Sequence, residues 1–108
     1  MPFETNESHG HEHQRPIRVP TLKGDIFNAA VEMAEDLETW KVVSKDEANL
    51  RITCERPGGF LKGKATITVW VEGPDGIPSS TVHVRSESQG GMLDRDKANV
   101  IEFVRPFH

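Results

Sequence analysis

The chain has a single cysteine, Cys54, so no internal disulfide can form, and the composition points to a reducing compartment. It also lacks a basic excess: 13 Lys and Arg stand against 17 Asp and Glu, a formal net charge of −4. A nucleic-acid role therefore has no electrostatic footprint. No segment approaches the roughly 18 apolar residues of a membrane span. The opening Met1-Pro2-Phe3-Glu4-Thr5-Asn6-Glu7 has no apolar core of the kind a secretory signal needs. These absences predict a cytoplasmic protein that engages neither nucleic acid nor membrane. There is no internal repeat and no dividing linker, and 108 residues suffice for one domain with a modest core.

Residues 1–16 hold three histidines, three glutamates and two prolines, with Phe3 the only large side chain beyond Met1. Such a segment buries too little apolar surface to offset the entropy of ordering it. It is expected to be a disordered tail, followed by a single domain over 17–108. Ile17-Arg18-Val19, between two prolines, reads as a short edge strand.

A first helix is expected from Asp25, whose side chain suits the free amides of a first turn. Ile26, Ala30, Met33 and Leu37 recur at helical spacing, flanked by Phe27, Val31 and Ala34. Four strands follow: Trp40–Val43, Leu50–Glu55, Lys64–Glu72 and Thr81–Gln89. The second puts Leu50, Ile52 and Cys54 on one face. The third puts Ala65, Ile67, Val69 and Val71 there, with Thr66, Thr68 and Trp70 opposite. The fourth sends Val82 and Val84 inward and His83, Arg85 and Glu87 outward. Short turn-rich links, such as Pro74-Asp75-Gly76, imply an antiparallel meander. After Gly90-Gly91 a last helix is expected near Asp94, with Leu93 packing back on it. Its inner stripe would be Ala98, Ile101 and Val104, widened by Val100 and Phe103, and Pro106 would end it. The expected fold is α+β: two layers, a four-stranded antiparallel sheet with an N-terminal and a C-terminal helix on one face.

Arg85-Ser86-Glu87-Ser88, Gly91, Asp94, Asn99 and Ile101 form a pattern that resembles the DUF1499 family of small domains. Ile52–Glu55 leading to Gly59-Phe60, and Trp40–Val43 after the first helix, are also similar. The likeness covers roughly residues 25–105. The chain departs from the pattern where Lys62 and Gly63 stand in place of an Asp pair, where Gln89 replaces an Arg, and where an N-terminal cysteine motif is missing. The resemblance implies the fold but no known activity.

His9, His11 and His13 alternate, and imidazoles ligate zinc, copper or nickel. A fixed site needs partners that hold the rings in place, so a solvated tail with incidental affinity is the reading preferred over a metal site. Cys54 and His83 are the one pair suggestive of nucleophilic catalysis, yet strand phase sends them to opposite faces, leaving Cys54 a core filler. Gly90-Gly91 is not followed by the Lys-Ser/Thr of a phosphate loop. No residue set implies a cofactor, and no convergent titratable cluster implies an enzyme. Trp70, His83, Arg85 and Arg51 gather on the open sheet face. They make a candidate surface for a protein partner or a homodimer, because Trp and Arg concentrate at interface hot spots. The expected function is a non-enzymatic binding module. The alternative is a small-ligand carrier with a pocket between sheet and helices.

Overall fold

The computed structural model describes residues 2–58, 62–91 and 95–107. In chain order it contains β1 (Phe3–Glu4), a 3-10 turn at Glu12–Gln14, β2 (Ile17–Val19), α1 (Lys23–Asp36) and β3 (Lys41–Asp46). Then come β4 (Arg51–Arg56), β5 (Lys62–Glu72), β6 (Ser80–Gly91), α2 (Asp96–Val104) and a last 3-10 turn at Arg105–Phe107. The Gly59-Phe60 turn, Leu93 and the Asp94 cap expected from sequence lie outside the described residues.

The α+β architecture with an antiparallel sheet and two helices is as expected, but the sheet has six strands rather than four. Its order is β1-β6-β5-β4-β3, with β2 also paired to β6. The two additions come from the N-terminal segment. Phe3 and Glu4 pair with Ser86 and Arg85, and Ile17 to Val19 pair with Val82 to Ser80. Residues 2–16, expected to be disordered, are tied to β6 through Thr5. Its amide donates to the Val84 carbonyl at 2.9 Å, and its Oγ1 accepts from the Val84 amide at 3.1 Å. Composition could not reveal this, because the ordering contacts are made to backbone 79 residues away.

Alternation builds the core. Ile52 and Cys54 of β4 lie opposite Val69 and Ile67 of β5. Val69 and Val71 lie opposite Val84 and Val82 of β6. All of these are buried, each large aliphatic side chain contributing about 1.5–3 kcal/mol. Ile26, Phe27, Ala30 and Ala34 of α1 and Val100, Phe103 and Val104 of α2 join the same cluster, so both helices cover one face.

Two helix details differ from expectation. Helix α1 starts at Lys23, preceded by Leu22 without a side-chain cap bond, and Asp25 falls within its first turn, where a negative charge suits the helix dipole. In α2 the buried stripe is Asp96, Asn99, Val100, Phe103 and Val104, while Ala98 is exposed and Ile101 half-buried. The helix is rotated relative to its purely apolar pattern because two polar side chains face inward.

The free edge, β3, carries a bulge between Val42 and Ser44 and the exposed charges Lys41 and Lys45, devices that discourage edge-to-edge pairing. At the β5–β6 turn, Gly73 is required sterically: a Cβ there would lie 2.8 Å from the Ser79 carbonyl oxygen.

Candidate functional site

On the face away from the helices, the register sets Arg51 opposite Trp70 and Trp70 opposite His83. The three form one row across β4, β5 and β6. The Trp70 and His83 rings stack with centroids 5.2 Å apart and planes 12° from parallel. The Arg51 guanidinium carbon lies 5.5 Å from the indole centroid, a cation–π arrangement. With Arg51 and His83 in the strands on either side of it, Trp70 is held between them. Glu72 reaches the same row, its Oε2 being 3.3 Å from His83 Nε2.

Arg85 stands in the next row, opposite Thr68 on β5 and Glu4 on β1. Its guanidinium lies 3.6 Å from the Glu4 carboxylate and 3.5 Å from that of Glu87. These are loose, solvent-screened pairs. Trp70, His83 and Arg85 are each half-buried and Arg51 is exposed. The four residues singled out from sequence therefore share one face, three of them in direct contact. Sequence did not indicate that the N-terminal segment joins them. Glu4, Glu7 and Pro16, together with Trp70, Glu72 and His83, line a groove of about 360 Å³.

Of the three histidines of the N-terminal segment, His11 and His13 lie ring to ring with centroids 4.8 Å apart. His9 stacks on Phe3 with centroids 4.8 Å apart, and its Nε2 lies 3.0 Å from the Glu4 carbonyl. His11 accepts the His13 amide on Nδ1 at 3.1 Å, capping the 3-10 turn. Among the described residues no group of three His, Cys, Asp or Glu side chains is positioned to hold a metal ion.

Cys54 and His83 are not brought together either. Cys54 is fully buried on the helix side, and burial alone pushes its thiol up to about 11. A thiol so protonated is a poor nucleophile. We expect no alkylation by iodoacetamide at pH 8 without denaturant and complete reaction in it. The raised pKa also sets a pH window. The unfolded thiol ionises from about pH 9 while the folded one keeps its proton to about pH 11. Stability from this group is thus intact below pH 9 and falls by about 2–3 kcal/mol as pH rises to 11. Native-state alkylation at pH 8, or an unchanged urea midpoint over that window in comparison with Cys54→Ala, would contradict this environment.

A second polar constellation, missed at the sequence level, lies on the helix side. Ser86 and Ser88 face inward from β6, and both hydroxyls donate to Asp96 Oδ1 at 2.7 Å. The Ser88 amide donates to Asp96 Oδ2 at 3.1 Å. Asn99 Nδ2 donates to Ser86 Oγ at 3.1 Å, and Arg56 Nη1 donates to Asn99 Oδ1 at 2.7 Å and to Glu102 Oε2 at 2.8 Å. Ser86, Asp96 and Asn99 are completely buried. Ser86 is shut off from solvent, and the cluster ties α2 to β6. Half of the Arg85-Ser86-Glu87-Ser88 pattern, its two serines, is spent on this tie.

A larger hollow of about 660 Å³ is lined by Glu38, Thr39, Trp40, Lys41, Glu55 and Lys64, among others. The Trp40 Nε1 hydrogen has no partner among the described residues, and solvent does not reach it.

No protein-family model and no curated protein matches this chain. Fold and face together define a small α+β domain with a paved open sheet, and no helix among the described residues is long and apolar enough to cross a membrane.

Proposed function

We propose that this domain is a non-enzymatic binding module that engages a protein partner, or a second copy of itself, through the open sheet face. The carrying observation is the Arg51–Trp70–His83 row, stacked across three strands on the face neither helix covers. Large aromatic and guanidinium groups held rigid by their neighbours lose little entropy on binding, which is why Trp and Arg dominate interface energetics. Arg85 beside the row adds a charge whose present pairs are loose.

The test is photo-crosslinking in the cells that make the protein. A benzophenone amino acid is placed at Thr68 or Glu87 on the open face, and at Asn28 or Glu32 on the exposed side of α1. We expect a discrete adduct from the open-face positions only. An adduct of twice the chain mass identifies the homodimer, and any other mass a different partner. Trp70→Ala should remove the adduct while lowering stability by only about 1 kcal/mol, the scale of a cross-strand aromatic pair. No open-face adduct, or equal yield from α1, overturns the reading.

A further inference from the structure

We infer that the groove between the N-terminal segment and the Trp70–His83 row receives an arginine or lysine side chain from a basic segment of a protein partner. This rests on reading the open face as an interaction surface, and it adds the chemistry of what docks there. Three carboxylates, Glu4, Glu7 and Glu72, line a groove of about 360 Å³ in which His83 is the only basic group among the described residues. Glu4 and Glu7 lean on cations that do not line it, Arg85 at 3.6 Å and Arg18 at 2.5 Å. Glu72 faces His83 at 3.3 Å. All three carboxylate side chains are well exposed, at 46 %, 55 % and 65 %, so an incoming cation can share them without breaking a buried pair.

The apolar part of the site completes the match. Trp70 is flanked by Arg51 and His83, so the groove is not an aromatic cage for a naked cation. What Trp70, His83 and Pro16 offer is a wall against which the methylene stem of a long basic side chain packs while its head meets the carboxylates. The chain's own Arg51 already lies along the other side of the same indole. A partner arginine in the groove would extend the row by one more member. The volume suits one side chain rather than a folded element, and the net charge of −4 favours approach of a basic segment.

The experiment is an amide NMR titration of the full chain with the peptide acetyl-Gly-Arg-Gly-amide. The controls are the same peptide with neutral citrulline, and spermidine. We expect shifts confined to residues 4–7, Glu72, His83 and the Trp70 indole N–H, at millimolar affinity and weaker in high salt. The citrulline peptide should leave them unmoved. Glu7→Gln combined with Glu72→Gln should weaken binding about fivefold, the scale of two exposed charge contacts. Both substitutions are at exposed sites, and an otherwise unchanged spectrum shows that the variant is folded. Shifts scattered over the surface, an equal response to citrulline, or no loss in the double variant overturns the inference. Tighter binding of spermidine than of the peptide overturns the assignment to a protein segment. A silent titration alongside persistent open-face crosslinks removes the basic segment and leaves the interaction surface standing.

Discussion

Asp96→Ala should lower the unfolding free energy by about 3–5 kcal/mol, because the carboxyl group is the hub of a buried network. It accepts both serine hydroxyls and one amide of β6. Removing it leaves the Ser86 hydroxyl unsatisfied in the interior and the two Ser88 donors unsatisfied in a half-buried setting, and each unsatisfied buried donor costs about 1–3 kcal/mol. Asn99 would still donate to Ser86 Oγ, which keeps that acceptor occupied but offers the orphaned hydroxyl proton no new acceptor. Asp96→Asn should cost much less, since hydroxyls rotate to suit a new acceptor. Ser86→Ala should fall between the two. The measurement is urea denaturation, with the midpoint shifting at unchanged slope. A loss under about 1 kcal/mol for Asp96→Ala would mean that the tie between α2 and β6 is not structural.

That network marks the boundary of what the sequence made legible. The strand phases were readable because every inner position of β5 from Ala65 to Val71 is aliphatic and every outer one is not. The same alternation put Trp70, His83 and Arg85 together. It went silent at Ser86 and Ser88, which continue the inner face of β6 but are polar. A hydrophobic period cannot report a side chain buried for its hydrogen bonds. Asp96 and Asn99 failed in the same way, and so the stripe of α2 was drawn through Ala98 and Ile101. The signal that would have located it was complementary rather than periodic: two inward serines on one strand, and an Asp and an Asn three residues apart at the start of the next helix. The N-terminal wall of the groove had no such signal, because Thr5 is held by backbone and nothing in its neighbours' chemistry names Val84.

The open face and the network divide β6 between them. Arg85 and Glu87 look outward while Ser86 and Ser88 look inward, so one four-residue stretch serves both the candidate surface and the attachment of α2. Changes on the outer positions should therefore affect binding with little effect on stability. Changes on the inner ones should do the reverse. The β6 edge is also covered over part of its length by β1 and β2, so the outer strands at this end of the sheet come from the N-terminal segment.

Phe103→Ala is the second large effect, expected at about 3–5 kcal/mol. Phe103 is completely buried. Its ring stacks on Trp40 with centroids 5.7 Å apart and planes 17° from parallel, and Phe107 tilts against it at 5.5 Å. Truncation removes the transfer energy of the ring and leaves a cavity that two other aromatics cannot both fill. Against a typical domain stability of about 5–15 kcal/mol, that is a large fraction of the whole. The indole gives a local readout. With two tryptophans in the chain, a Trp70→Phe background leaves Trp40 as the sole reporter. Its emission should shift to the red in Phe103→Ala as water enters beside a ring that is now 5 % exposed. Phe103→Leu, which keeps most of the volume, should cost far less and leave the emission nearly unchanged. Equal losses for Ala and Leu would mean that the loss comes from the ring contacts with Trp40 and Phe107 that both variants lack, and the cavity argument would fail.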